Sequence, residues 1–502
     1  MKKFGKSYKN IGTASDPVYQ LSGDGTGSEA LDSTLVEKMS EFTFGEGLTP
    51  HHTEGLILID RTHQARGLGI SRTEHSGPAS IYGAFINYPL PDGELADKVF
   101  EGYYNRFIIS KTGKCYATGY NHYRQLGYKD GTNNDENWIG QVDLPENLKC
   151  IHVSTGSLDN RTFYYLMENG DLYGAGHNPY GQLFGLGNDL TNYPGNNSLG
   201  SAPVLINTNV KQAYIGGSRW TTESIGHTHT HHGHCGFVLK HDGTVETTGR
   251  NSYGQRGDGT TGNGDASVYQ IWQKVTQGGM IDQEIVDMKI ATESSAATVY
   301  ARTSNNRLYT WGYNGYGQLG VSNTTSSGTP QITITHNVLD FWVTGGHRTS
   351  AYVLKTDGNI YSCGYNGYGQ LGHGDTVDKS TWQLVPSLTG KNITKMFLGG
   401  YNSASSVYAL NDDMELYTAG YNVYGQLGDG SNNSTNTIFK RSFTPSNPVA
   451  FRCYSSAYGN GVGFAVYADE SGQLFGTGRG TYRLFDTEGN HKYAWTKIAG
   501  RL

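Results

Sequence analysis

The densest run of ligand-type side chains is Gly226-His-Thr-His-Thr-His-His-Gly-His-Cys235, in which His227, His229 and His231 alternate and His232, His234 and Cys235 follow closely. On an extended segment alternate positions share a face, so this spacing would line up three imidazoles. Neutral imidazole is a ligand for Zn, Ni or Fe, which makes His227, His229, His231, His232 and His234 the candidate metal ligands. The competing reading is a polar inserted loop that holds nothing. No other cofactor is expected. Gly257-Asp-Gly-Thr-Thr-Gly262 spells G-x-G-x-x-G but opens no helical pattern, so it lacks the context of a dinucleotide fingerprint. Acidic stretches at 130–136, 258–265 and 429–433 supply oxygen ligands without EF-hand spacing, and read as solvated turns rather than calcium loops. The sequence has no G-x-S-x-G, H-E-x-x-H or P-loop, and the expectation is a non-enzymatic protein with no catalytic residues. Cys115, Cys150, Cys235, Cys363 and Cys453 are odd in number and form no C-x-x-C pair, which excludes a disulfide framework and a zinc knuckle.

The elements that must carry these residues are repeated. Tyr116-Ala-Thr-Gly-Tyr-Asn-His-Tyr-Arg-Gln-Leu-Gly127, Tyr309-Thr-Trp-Gly-Tyr-Asn-Gly-Tyr-Gly-Gln-Leu-Gly320, Tyr361-Ser-Cys-Gly-Tyr-Asn-Gly-Tyr-Gly-Gln-Leu-Gly372 and Tyr417-Thr-Ala-Gly-Tyr-Asn-Val-Tyr-Gly-Gln-Leu-Gly428 are copies of one block. Looser copies begin at Tyr173, Glu246 and Phe475, so the leading glycine falls at 119, 176, 249, 312, 364, 420 and 478. Each copy follows a hairpin signal such as Tyr352-Val-Leu-Lys-Thr-Asp-Gly358, and each is followed by polar loops and a further apolar run. That arithmetic is about four short strands per repeat. A four-stranded unit cannot bury its own apolar faces, and seven in sequence predict an all-β fold, a closed seven-bladed β-propeller over residues 96–502. Within the block, the asparagine two residues after the glycine suits a side-chain-to-backbone turn. The tyrosine four residues after it suits packing between blades with its hydroxyl at the rim.

The Gly-Tyr-Asn-x-Tyr-Gly-Gln-Leu-Gly block, the hairpin before it and the count of seven together resemble the repeat family of the regulator of chromosome condensation. The resemblance covers about four-fifths of the chain and implies a seven-bladed propeller. The seventh copy departs from it, with Gly480 in place of the asparagine and Leu484 in place of the glutamine. The family's founding activity is nucleotide exchange on a small GTPase together with chromatin binding. No residues outside the scaffold block match that activity, and the acidic balance argues against the chromatin half.

Composition bounds the remaining readings. The 502 residues include 71 glycines, about twice the usual share, and 36 tyrosines, with a formal net charge of −6. That charge offers no electrostatic drive toward nucleic acid, and no apolar run is long enough to enter a membrane, so neither partner is expected. Residues 1–95 carry no repeat, only a Gly/Ser-rich stretch, a short helical pattern near Asp32 and strand-like runs at 56–59 and 81–88. They read as an extension or attachment arm that wraps the propeller or docks on a partner. The basic amino terminus has no apolar segment behind it, so synthesis in a cytoplasm without a signal peptide is expected. These features suggest a protein-interaction propeller in a virus particle, as a phage tail, fibre or capsid-surface component. On that reading residues 1–95 bind other virion proteins and the loops meet a host surface receptor. The alternative is a cellular regulator that docks a GTPase or another protein.

Overall fold

The computed structural model describes residues 88–498 except 102–104, 120, 122–123, 129–135, 156–161, 177–182, 184–201, 217–218, 225–226, 233–234, 263–270, 294–295, 400–404, 449, 457–461, 470, 472 and 481–489. Towards the amino terminus it describes Lys2–Lys3, Lys6–Asn10, Tyr19–Ser22, Phe42–Thr43, Gly55–Ile59, 63–71 and Ser80–Tyr88. The helical pattern expected near Asp32 lies outside these residues.

Seven antiparallel sheets follow one another along the chain, each a simple meander of four strands. Blade 1 is Ala96–Glu101, Asn105–Ser110, Cys115–Gly119 and Glu136–Gln141, and blade 2 is Cys150–Thr155, Thr162–Met167, Leu172–Gly176 and Val204–Asn207. Blade 3 is Val210–Gly216, Cys235–Lys240, Val245–Gly249 and Gln273–Lys274, and blade 4 is Ile285–Glu293, Ala296–Thr303, Leu308–Gly312 and Ser327–Ile334. Blade 5 is Val338–Val343, Ser350–Lys355, Ile360–Gly364 and Lys379–Leu384; blade 6 is Ile393–Gly399, Ser406–Asn411, Leu416–Tyr421 and Thr435–Ser442. Blade 7 is Ala450–Ser456, Val462–Ala468, Leu474–Gly478 and Lys492–Lys497. First strands of successive blades touch one another, which places them around the axis with the fourth strands outermost.

The core is distributed over the seams. Buried apolar residues of the described chain form seven clusters, one between each pair of neighbouring blades. The cluster that closes the ring joins Phe464, Val466, Ala468 and Leu474 of blade 7 to Ala96, Val99, Ile108 and Tyr116 of blade 1. Among the described residues no strand is exchanged across this seam: all four strands of blade 7 come from the carboxy-terminal part of the chain and the four meander strands of blade 1 from residues 96–141. The amino-terminal segment reinforces it. Ile59 and Ala65, from the hairpin Gly55–Ile59/Ala65–Ser71, are buried in the same cluster, and the Ala96 amide donates to the His63 carbonyl at 2.9 Å. Phe42–Thr43 pairs in parallel with Val99 and Phe100, adding a fifth strand on the axial side of blade 1. Phe42–Thr43, Ile59 and Ala65 are thus built into the ring.

The repeated block explains how loops are held between seams. Asn366 Oδ1 accepts the Leu371 amide at 2.9 Å while its Nδ2 donates to the Asp375 and Val377 carbonyls at 3.0 and 3.2 Å. Asn251, Asn314 and Asn422 repeat this arrangement and are fully buried. The glutamine four residues later folds back as well: Gln318 Oε1 accepts the Tyr316 amide at 2.9 Å. Tyr300, Tyr352 and Tyr408 from second strands donate their hydroxyls to the carbonyls of Gln318, Gln370 and Gln426 at 2.8, 2.7 and 2.6 Å. Past the block, the loop is stapled to the next blade's outer strand. Ser322 donates to the Ser380 carbonyl at 2.7 Å, Gly374 to Thr437 at 2.8 Å and Gly430 to Tyr493 at 2.8 Å. Gly317, at φ 76°, lets this approach happen, because a Cβ there would meet the Ser380 backbone.

Two expectations follow from this framework. Asn366→Ala removes four side-chain hydrogen bonds, including one to Asp375 Oδ1 at 3.0 Å, and leaves the buried Leu371 amide without this acceptor, so chemical denaturation should show a loss of about 3 kcal/mol. Ile59→Ala should cost about 2–4 kcal/mol by the same measurement although residue 59 precedes the first blade, because its side chain belongs to the closing seam.

Candidate interaction face

In a four-stranded meander the connections from first to second strand and from third to fourth emerge at one end, and the others at the opposite end. The tyrosine block lies in the third-to-fourth connection, so the described copies reach the same face of the ring. There the tyrosine after the leading glycine meets the block tyrosine of the preceding blade. Tyr313 packs on Tyr253 with centroids 4.9 Å apart, Tyr365 on Tyr316 at 5.3 Å and Tyr421 on Tyr368 at 5.0 Å, all nearly perpendicular. At the next seam His491 takes the corresponding place against Tyr424, at 5.2 Å. Such edge-to-face contacts contribute about 0.5–1.5 kcal/mol each beyond burial. Tyr123, Tyr180 and Tyr482 lie outside the described residues.

Cations are set into this girdle. The Arg348 guanidinium lies 5.7 Å from the Tyr316 ring and 5.5 Å from the Tyr365 ring, and its Nε donates to the Tyr316 hydroxyl at 3.0 Å. His347 packs at 6.2 Å from Tyr313 and 6.0 Å from Tyr316, and its carbonyl accepts from Gln318 Nε2 at 2.9 Å. Arg479 stands 5.1 Å from the Tyr424 ring. These side chains are half-buried, with one edge open to solvent. Burial pushes the Tyr365 phenol up, against a lowering by Arg348, and burial beside Tyr424 and Tyr368 pushes Tyr421 up to about 12. Both therefore stay protonated at neutral pH and can donate. Burial, with Arg479 alongside, lowers the His491 pKa, consistent with its Nδ1 accepting the Gly480 amide at 3.2 Å. The arrangement offers flat aromatic surface, phenolic donors and guanidinium groups, which is recognition chemistry.

The residues singled out from the sequence fall as follows. His227–His232 is a strand, paired antiparallel with Arg219–Ser224 from Arg219↔His232 to Ser224↔His227. This hairpin lies in the first-to-second connection of blade 3, on the same face as the tyrosines. The side chains of His227, His229, His231 and His232 lie outside the described structure, as does His234 altogether. Cys235 starts the second strand of blade 3 and is buried in the seam with blade 4, its thiol pushed up to about 12 by burial. The Gly257–Gly262 stretch is a turn in which Asp258 Oδ1 accepts the Thr260 amide at 3.0 Å and the Thr260 hydroxyl at 2.7 Å. Asp429 does the same with Ser431 at 2.9 and 2.7 Å, so these two carboxylates serve their own loops. Ser362 and His373 approach to 2.9 Å, but Ser362 is fully buried and bonds the Leu371 carbonyl, as Thr310 bonds Leu319. It is a structural hydroxyl. All five cysteines are buried and free. Among the described residues no helix is long and apolar enough to cross a membrane. Arg348, His347, Arg479 and His491 were not marked as site residues by the sequence, where the only hint is the short Gly346-His-Arg-Thr349 stretch before a hairpin.

Comparison with known proteins places this geometry. Residues 305–351 and 357–405 match the Regulator of chromosome condensation (RCC1) repeat. The chain is 29% identical over 311 residues to the Ultraviolet-B receptor UVR8 of Arabidopsis thaliana, covering 61% of each. It is 26% identical over 318 residues to the E3 ubiquitin-protein ligase HERC2 of Homo sapiens, covering 62% of this chain and 6% of the ligase. Over 151 residues it is 34% identical to the X-linked retinitis pigmentosa GTPase regulator of Canis lupus familiaris, covering 30% of this chain and 14% of the regulator. The chain thus spans less than two thirds of each of these relatives. Among solved structures, human WBSCR16 superposes with a TM-score of 0.52 at 20% identity, covering 77% of this chain and 92% of that one. Prp20p of Saccharomyces cerevisiae gives 0.53 at 15% identity, covering 85% and 93%, and both likenesses concern the fold. Two RCC1 repeats are thus matched directly, at residues 305–351 and 357–405, within a chain whose seven four-stranded sheets form a β-propeller.

Proposed function

We propose that this propeller is a non-enzymatic protein-binding module that docks a GTPase or another regulatory protein on the face carrying the tyrosine girdle. The observation that carries the reading is Arg348, held between Tyr316 and Tyr365 with all three half-open to solvent. Tyrosine and arginine are the residue types that concentrate binding energy at protein interfaces, and pre-packed side chains lose little entropy on docking. Two relatives support a protein partner: one is named as a GTPase regulator, and Prp20p is described with binding to Gsp1p and histones. The virion reading, with residues 1–95 bound to other particle proteins, rests on composition. The relatives named above are a receptor, a ligase and a GTPase regulator, and no feature of the ring favours a particle.

The test compares partners bound by the wild-type chain and by Arg348→Ala and Tyr365→Ala, with nucleotide release from small GTPases measured in parallel. A partner that docks on this face should lose at least tenfold in affinity, about 1.4 kcal/mol, in both variants while each still melts in a single cooperative transition. Unchanged affinity for every wild-type partner would remove the girdle from the interface.

A further inference from the structure

The five buried thiols are spread unevenly over the seams. Cys235, Cys363 and Cys453 each lie in a separate apolar cluster, whereas Cys115 and Cys150 share the one between blades 1 and 2. They come from different blades: Cys115 opens the third strand of blade 1 and Cys150 the first strand of blade 2.

A tight crossing of the chain brings the two together. The Cys150 amide donates to the Gly113 carbonyl at 2.9 Å, and Gly113, at φ 88°, lies so close to Lys149 that a Cβ on it would collide with that residue. Two residues past Gly113 and one past Lys149, the thiols of Cys115 and Cys150 are in hydrogen-bond contact. Cys150 donates its own thiol proton to the His152 carbonyl at 3.6 Å, which leaves its sulfur to accept from Cys115. A disulfide needs Cβ atoms that face one another at about 3.5–4.5 Å, and thiols that hydrogen-bond across a seam already face in that sense. Both residues are nearly sealed from solvent, at 1% and 2% exposure. Burial and the bond to Cys150 push the Cys115 thiol well up, so its thiolate is scarce and the pair stays reduced unless an oxidant small enough to enter the seam persists.

We propose that Cys115 and Cys150 are a redox-sensitive pair that peroxide converts into a reversible disulfide joining blade 1 to blade 2. One sulfur, as thiolate, attacks a peroxide oxygen; the O–O bond breaks, the sulfur becomes a sulfenic acid, and the departing hydroxide takes up the thiol proton as water. The second sulfur then attacks the first, the S–S bond forms, and the expelled hydroxide leaves as water with the second thiol proton. Two electrons pass from the thiol pair to the peroxide, and two thiols and one peroxide become one disulfide and two waters. The bond closes a loop that contains the whole fourth strand of blade 1, Glu136–Gln141, and restricts the unfolded chain, so the oxidised protein is the more stable form. This concerns the packing of the ring and stands apart from the docking role.

The experiment treats the full reduced chain with millimolar hydrogen peroxide, both in the native state and during refolding. Intact mass should fall by two hydrogens, and peptide mapping without reductant should join the peptides that hold residues 115 and 150. Dithiothreitol should reverse both changes, and the oxidised chain should melt a few degrees above the reduced one. Cys115→Ala and Cys150→Ala should each abolish the cross-link, and Cys363→Ala should keep it. The wild-type peptide map decides the pairing even where an alanine variant folds poorly. Absence of an intramolecular disulfide under both conditions would overturn the proposal. So would a disulfide that joins any other pair, or a cross-link between residues 115 and 150 that lowers the melting temperature.

Discussion

A blade of this kind has two apolar faces and can cover neither of them alone, so each sheet needs a neighbour on both sides. In a row of seven, two end faces would stay open; only a ring removes both. The structure therefore depends on the seam between blades 7 and 1, which is held by side-chain packing and not by a shared strand. Chain statistics allow this. Extending a closed loop from ~55 residues to ~400 is about three doublings and costs only roughly 2 kcal/mol more. Each large side chain fully buried at the seam contributes about 1.5–3 kcal/mol, and Phe464, Val466, Leu474, Val99 and Ile108 are all buried there. Ile59 and Ala65 add further area from outside the repeats, and the strand at Phe42–Thr43 covers part of the axial edge of blade 1. The segment without repeats thus reinforces the joint at which the ring closes.

Polar residues do the corresponding work in the loops. The asparagine and glutamine of each described block point inward, satisfying loop amides and carbonyls that would otherwise be buried without partners. The same loops are tied by backbone hydrogen bonds to the next blade, so neighbouring blades are linked through their rims as well as their cores. Tyrosines mounted on such a base have few alternative positions. Their edge-to-face contacts and the Arg348 bracket are already formed in the free chain, so a partner docking there would pay a lower ordering cost.

The ring was legible in the sequence because its signals are local. The leading glycines, the Asp-Gly and Asn-Gly turns such as Asp357-Gly358 and the seven block copies each lie within a dozen residues, and the strands fall where they indicate. Gly312 shows why the block begins as it does: at φ 96° a Cβ would run into the Ala297 carbonyl of the neighbouring strand. The interaction face was less legible. Tyr316 meets Tyr365, and Arg348 meets both, only because adjacent blades bring residues from different repeats together, and no spacing within one repeat encodes that contact. That the amino-terminal segment wraps the propeller was one of its two readings, but its place at the closing seam was not legible: Ile59 reads as part of an isolated apolar run until the seam it fills has formed.

The face itself divides into two sectors. At the opposite end of the ring the second-to-third turns of blades 1 to 6 are each four residues, at 111–114, 168–171, 241–244, 304–307, 356–359 and 412–415. Such turns are set by the pairing of the strands they join, and an insertion there would disturb register. Insertions are tolerated where the connection already leaves the sheet. The third-to-fourth connections of blades 2 and 3 span 177–203 and 250–272, against 313–326 and 365–378 in blades 4 and 5, and the histidine hairpin is the matching excess in blade 3. Extra chain thus gathers on blades 2 and 3, whereas the described aromatic contacts of the girdle run from Tyr253 of blade 3 to His491 of blade 7. Blade 3 belongs to both sectors, with Tyr253 in one and positions 227–231 in the other.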